Sequence, residues 1–253
     1  MKRKVSSLLF NRSRSLAVAL FLILLPATQA GQSNERRDAK EPMPPEQALK
    51  LLAAGNLRYL SQDKYKEERK KLVNGQMPYA IVLSCSDSRV PPEIVFDETL
   101  GMLFVIRVAG NLTDPTELGS IEYAATGAHP YSRLLFVMAH DSCGAVIATM
   151  DAVRTRKYPA SPNLMALINS ISPTLDRKRL DTKNKEDVAV NVDRNLKAQM
   201  VNVVRKSASL KAKVRSGEVQ IIGSIYNLKE GDAKPRYRLD KDLIVKPILP
   251  GTK

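Results

Sequence analysis

The stretch YAIVLS, residues 79–84, runs without a break into CSDSR, residues 85–89. Its residues carry no charge and do not alternate between apolar and polar, the mark of a strand buried on both faces in a parallel sheet covered by helices. The polar cluster begins where such a strand would surface. Residues 103–107, 134–139 and 219–225 are runs of the same kind, and residues 116–127, 143–153, 163–175 and 188–214 between them read as helices. The alternation predicts an α/β fold with a mainly parallel central sheet flanked by helices.

Working outward toward the N-terminus, Pro45-Glu46-Gln47 supplies a helix start, and Leu49, Leu52, Ala53, Asn56, Leu57 and Leu60 recur at helical spacing. This predicts an N-terminal helical arm. Residues 31–44, rich in charge and proline, read as a flexible linker. Residues 45–231 are expected to form the main domain, and 232–253 a basic C-terminal tail with an edge strand at 243–246. The charged stretch 176–187 reads as a solvated loop.

At the extreme N-terminus, Lys2, Arg3, Lys4, Arg12 and Arg14 precede an uninterrupted apolar run, residues 16–25, then Pro26 and the pattern Thr28-Gln29-Ala30. This is the layout of a secretory signal peptide over residues 1–30, cleaved after Ala30. The apolar run is about half of the roughly 20 residues that a spanning helix needs. Cleavage removes five cations and no anion, lowering the formal charge from +14 to +9. A periplasmic or secreted protein with no stable membrane anchor is expected.

The composition, 43% hydrophobic and 26% charged over 253 residues, supports a sizeable core and excludes wholesale disorder or a multi-span membrane protein. Two cysteines cannot build a disulfide scaffold. The basic residues are dispersed and no nucleic-acid motif interleaves them with aromatics, so no specific nucleic-acid partner is expected.

Both cysteines fall at strand ends. Cys85 follows the first run, and His140-Asp141-Ser142-Cys143 closes the third, 58 residues later in the chain. In an open parallel sheet the carboxyl ends of the strands line one crevice, so the two clusters can converge. Two thiolates, an imidazole and a fourth oxygen ligand satisfy tetrahedral zinc, with Zn–S near ~2.3 Å. By spacing alone, metal and disulfide remain open. The polar company of Asp87, Arg89 and His140 favours the metal, because a structural bridge has no use for it. His129, beside Pro130, reads as a surface histidine.

CSDSRVPPE at 85–93 together with HDSCGA at 140–145 resembles the β-class carbonic anhydrases. GNLRY at 55–59, GQMP at 75–78, FVIRVAGN at 104–111, SIEYA at 120–124 and GSIYNLKEG at 223–231 extend the resemblance over most of the mature chain. It implies Cys85, His140 and Cys143 as ligands of one zinc ion per chain, with the fourth place taken by water or, in a closed state, by Asp87. It implies Asp87 and Arg89 as the catalytic pair that orients a zinc-bound hydroxide. Gln76, Phe104 and Tyr123 match its substrate pocket, part of which the partner subunit supplies, so a homodimer or higher even oligomer is implied. The implied reaction is reversible hydration of carbon dioxide to bicarbonate and a proton.

Departures from the family pattern are Ala139 before the metal histidine, Met102 after Gly101 and an extra residue or two around His129-Pro130-Tyr131. Val82 stands where bicarbonate-inhibited members carry tryptophan, which this chain lacks altogether, so an open site is expected unless another residue such as Arg107 binds the anion. The competing readings are zinc-dependent hydrolysis of carbonyl sulfide or carbon disulfide, and a non-catalytic zinc or anion-binding protein.

Overall fold

The computed structural model describes residues 42–126 and 132–249. The expected signal peptide, nearly all of the linker, and His129 lie outside the described residues. Two compact units divide after Leu57. Of the first, the described part is residues 42–57, most of helix α1 (Pro45–Leu60). Pro45 opens this helix, with Glu46 in its first turn and Arg58 in its last, each charge complementing the helix dipole. No residue of α1 is buried, and Leu49, Leu52 and Leu57 of its apolar stripe are exposed.

The second unit, Arg58–Lys253, takes the last residues of α1 and then α2 (Asp63–Leu72), which apolar periodicity did not predict because DKYKEERKKL has almost none. Charge sustains it instead. Asp63 sits in the first turn, Arg69, Lys70 and Lys71 in the last, and Lys70 pairs with Glu67 at 2.8 Å.

The sheet has six strands in the order β2-β1-β3-β4-β5-β6. Its first four members, β1 (Ala80–Ser84), β2 (Leu103–Arg107), β3 (Leu134–His140) and β4 (Gln220–Tyr226), pair in parallel, as the continuous apolar runs predict. Beyond Gly231 the expected single edge strand is instead two antiparallel strands, β5 (Tyr237–Leu239) and β6 (Val245–Pro247). Leu239 is buried opposite Ile221 while Arg238 stays exposed; the short apolar alternation was hidden among basic residues. Lys246 and Pro247 on the outer strand discourage further pairing.

The remaining helices are α3 (Pro92–Val95), α4 (Pro115–Thr126), α5 (Gly144–Thr155), α6 (Pro162–Ile171), α7 (Lys185–Lys206) and α8 (Ala208–Ser216). Two expected spans are corrected. The helix over 163–175 stops at Ile171 and tightens into a 3₁₀ turn, Ser172–Thr174, because Pro173 cannot continue the hydrogen-bond ladder. The long helix over 188–214 breaks at Ser207, which leaves the helical region and caps α8 by accepting from Leu210 N at 3.2 Å. Leu196 and Met200 of α7 pack on β4 at Gly223, where a Cβ would run into the Met200 sulfur. Among the described residues no helix is long and apolar enough to cross a membrane.

The strand order places the functional crevice. From β1 the chain moves outward to β2, then returns past β1 to β3 and continues to β4. The connections leaving β1 and β3 therefore diverge, opening a gap between the carboxyl ends of these neighbours where ligands bind in such sheets. Ser84 pairs with Met138, which brings Cys85 level with the end of β3 and His140.

Candidate metal centre

Cys85, His140 and Cys143 meet in that gap. One ligand atom from each lies within 4.8 Å of the others, all three residues are buried, and both cysteines are free thiols. Two unbridged sulfurs and an imidazole thus converge on one point, a group that could hold a metal ion.

His140 is oriented for ligation. Its Nδ1 lies 2.8 Å from the carbonyl of Asp141, and a carbonyl can only accept, so Nδ1 carries the proton and Nε2 keeps its lone pair. That Nε2 is fully buried with no hydrogen-bond partner, a costly state unless something else engages it. Asp141 is fixed in turn, its Oδ2 accepting from Leu228 N at 3.1 Å and its own N–H donating to the Tyr226 carbonyl at 3.0 Å. This is the support a metal-binding histidine needs.

The electrostatics favour positive charge at the same point. The Cys85 thiol is held well below its ordinary value, first by the hydrogen bond from Cys143, then by His140 and the backbone N–H groups of Gly110 and Asp87. The Cys143 thiol is pushed up by the neighbouring Cys85 sulfur and by burial, while the N–H groups of Ala145 and Val146 at the start of α5 act the other way. Burial alone would disfavour a charged His140, yet the Cys85 sulfur, the Asp141 carbonyl and the Asp87 carboxylate together raise its proton affinity. Two neighbouring sulfurs, one of them readily ionised, an unpartnered ring nitrogen and a nearby carboxylate form a donor set that fits a divalent metal.

Asp87 and Arg89 stand beside this group. Arg89 donates from Nε to Asp87 Oδ1 at 2.8 Å and from Nη2 to Oδ2 at 2.7 Å, and the Arg89 backbone N–H adds a bond to Oδ1 at 3.0 Å. These bonds hold the Asp87 carboxyl well below the usual carboxylate range. Asp87 Oδ2 lies 3.9 Å from His140 Nε2. A groove of about 430 Å³ opens next to Arg89, lined also by Ser142, Thr182, Lys185 and Lys229.

Arg107 is a residue whose function the sequence alone did not reveal. It ends β2 opposite Ser84, and its Nε and Nη2 donate to the carbonyls of Cys85 and Asp87 at 3.0 and 2.5 Å, so it clamps the loop that carries both. A cation closing an apolar strand was the available signal. Two of its guanidinium nitrogens are thereby engaged with backbone carbonyls.

The three pocket candidates do not join the metal group within the chain. Phe104 pairs in register with Ile81, four residues before Cys85, about 13 Å away along the strand at ~3.3 Å per residue. Its ring lies 6.2 Å from that of Tyr123, which is mostly exposed on α4. Gln76 is exposed at a separate depression bordered by Leu72, Val73, Gly75 and Gly101.

A family model described as carbonic anhydrase matches residues 80–233. Carbonic anhydrase 2 of Mycobacterium tuberculosis is 32% identical over 194 residues, covering 75% of this chain and 91% of that protein. The carbonic anhydrase of Mycolicibacterium smegmatis is 34% identical over 202 residues, covering 77% and 95%. Among solved structures, the β-carbonic anhydrase CcaA superposes with a TM-score of 0.65 at 21% identity, covering 81% of this chain and 94% of that one. A tetrameric β-carbonic anhydrase of Sordaria macrospora does so with 0.62 at 20% identity, covering 75% and 96%. The match spans the four parallel strands, the crevice and every residue of the buried Cys-His-Cys group, and the chain belongs to the β-class carbonic anhydrases.

Proposed function

We propose that this protein catalyses the reversible hydration of carbon dioxide to bicarbonate and a proton, using zinc held by Cys85, His140 and Cys143. The observation that carries this reading is the buried, unpartnered Nε2 of His140 facing two unbridged cysteine sulfurs beside the Asp87–Arg89 pair. Zinc held there supplies Lewis acidity that makes water a nucleophile near neutral pH.

The chain's own residues do the rest. Asp87, fixed as an ionised acceptor by the guanidinium of Arg89, takes a hydrogen bond from the attacking water and so fixes which lone pair faces the substrate carbon. Arg107 keeps the loop bearing Cys85 and Asp87 from relaxing. Arg89, Lys185 and Lys229 along the adjoining groove make it a favourable route for an anionic product.

The active assembly is a homodimer or higher even oligomer. In support, β2 is an edge strand with its outer side unpaired within the sheet, the apolar stripe of α1 is exposed, and Gln76, Phe104 and Tyr123 lie off the metal group of their own chain. In this reading those three complete the substrate pocket of a neighbouring subunit. The basic, apolar and small-residue order of residues 1–30 supports export, with a mature form beginning near Gly31.

Stopped-flow carbon dioxide hydration by zinc-loaded and chelated protein is the test. Rapid turnover that disappears with the metal and returns on zinc addition is expected. Metal-dependent hydrolysis of carbonyl sulfide without carbon dioxide hydration would move the reading to the sulfur analogue.

A further inference from the structure

Helix α7 buries a stripe of amides. Asn191, Asn195 and Gln199 recur every four residues on one face, and each is at most 1% exposed. Buried amides are costly unless partnered, so where their bonds go is informative. Asn191 serves a loop: its Oδ1 accepts from Asp176 N at 2.7 Å, and its Nδ2 donates to the carbonyls of Arg179 and Asp187 at 2.5 and 2.9 Å.

Asn195 and Gln199 serve the metal centre. Asn195 Nδ2 donates to the Gly110 carbonyl at 3.0 Å, and Gln199 Nε2 donates to Asn195 Oδ1 at 3.1 Å. Gln199 Oε1 accepts from both the N–H and the hydroxyl of Thr113, at 3.1 and 2.7 Å. The two amides thus grip residues 110 and 113 from one side. On the other side, the Gly110 N–H donates to the sulfur of Cys85 at 3.4 Å.

The gripped turn has one bond of its own, from the Asn111 N–H to the Val108 carbonyl at 3.0 Å, and it engages neither the N–H nor the carbonyl of Gly110. Gly110 and Asn111 are both left-handed, at φ 72° and 46°, and for Asn111 this is uphill. Packing is close as well, since a Cβ on Gly110 would lie 3.0 Å from Ile171 Cδ1. The orientation of the Gly110 N–H therefore depends on anchors outside the turn.

We propose that Asn195 and Gln199 are positioning residues for the metal centre. They hold Gly110 so that its N–H stays on the Cys85 thiolate, and thereby set the donor strength of that sulfur toward a bound divalent metal. The inference rests on the metal reading above. Supporting partners of this kind are worth about 10- to 100-fold in metal affinity.

Cobalt(II) in place of zinc gives a sulfur-to-cobalt charge-transfer band whose energy reports on the thiolates directly. Asn195→Ala is expected to move the band to lower energy and to weaken cobalt binding about 10- to 100-fold in chelator competition. Asn191→Ala, from the same stripe and equally buried, is expected to leave the band in place. Gln199→Met, close in size, is expected to shift it in the same direction and serves as the reading if Asn195→Ala does not fold. An unmoved band in folded Asn195→Ala or Gln199→Met overturns the proposal, as does an equal shift in Asn191→Ala. Failure of both variants to fold while Asn191→Ala folds also overturns it, in favour of a purely structural stripe. Unsubstituted protein that takes up no cobalt removes the metal reading and this inference together. Protein that shows the band yet hydrates no carbon dioxide removes only the proposed reaction.

Discussion

Asp87 and Arg89, two residues apart, face each other as a fork on a carboxylate: both oxygens of Asp87 are engaged, at 2.8 and 2.7 Å, and one of them remains 3.9 Å from His140 Nε2. The guanidinium therefore holds the carboxylate beside the metal group while keeping it ionised. Asp87 depends on Arg89, since removing the exposed guanidinium leaves the half-buried carboxylate without its partner.

Asp87→Asn and Arg89→Ala are accordingly expected to retain zinc and to lose turnover by about 10- to 100-fold or more. Metal analysis paired with stopped-flow hydration checks this, and full rates in either zinc-loaded variant would refute the role given to the pair.

Cys85→Ala or Cys143→Ala leaves two of the three converging donors. Loss of metal and activity together is expected, because the remaining donors make an incomplete shell. Metal content, thiol titration and hydration rate are the readouts. Active protein containing a Cys85–Cys143 disulfide would contradict the metal assignment.

Gly223→Ala places a methyl group against the Met200 sulfur between β4 and α7. Overpacking of this kind costs about 1–3 kcal/mol. Urea unfolding is expected to show that loss, and to show that Gly223→Ala combined with Met200→Ala costs less than the two single substitutions together. Strict additivity would mean that the helix adjusts freely at this contact.

Tyr79 donates to Glu98 Oε1 at 2.6 Å, and this bond, with burial and the charge of Glu98, pushes the phenol up to about 12. A raised folded value means that the stabilisation is fully present below the ordinary tyrosine value of about 10 and is lost as pH rises through about 12. Tyrosinate absorbance compared with Tyr79→Phe is expected to show one late-titrating phenol, shifted to lower pH by Glu98→Ala. An early titration of Tyr79 would mean that the bond does not persist in solution.

Export predicts a mature N-terminus near Gly31. N-terminal sequencing of protein recovered outside the cytoplasm checks it; protein that keeps Met1 and stays in the cytoplasm would contradict the signal-peptide reading.

The amino-acid sequence by itself determined the parallel sheet, because strands buried on both faces must be apolar throughout: residues 80–84 and 134–139 are legible as such runs, and 103–107 carries the same apolar pattern although, at the edge of the sheet, it is only partly buried. It also determined which residues gather at the crevice, since Cys85 and the His140–Cys143 segment follow strand ends. Elements held by charge or by a single cap were not legible, because neither α2 nor the break at Ser207 leaves an apolar period. Tertiary structure alone decided that the cysteines face each other unbridged, that His140 presents Nε2, and that Arg107 grips the loop of Cys85. It alone connected Asn195 and Gln199 to a sulfur more than a hundred residues earlier. Hydrogen bonds between segments that distant depend on strand order and helix placement, and no local pattern in the chain encodes them.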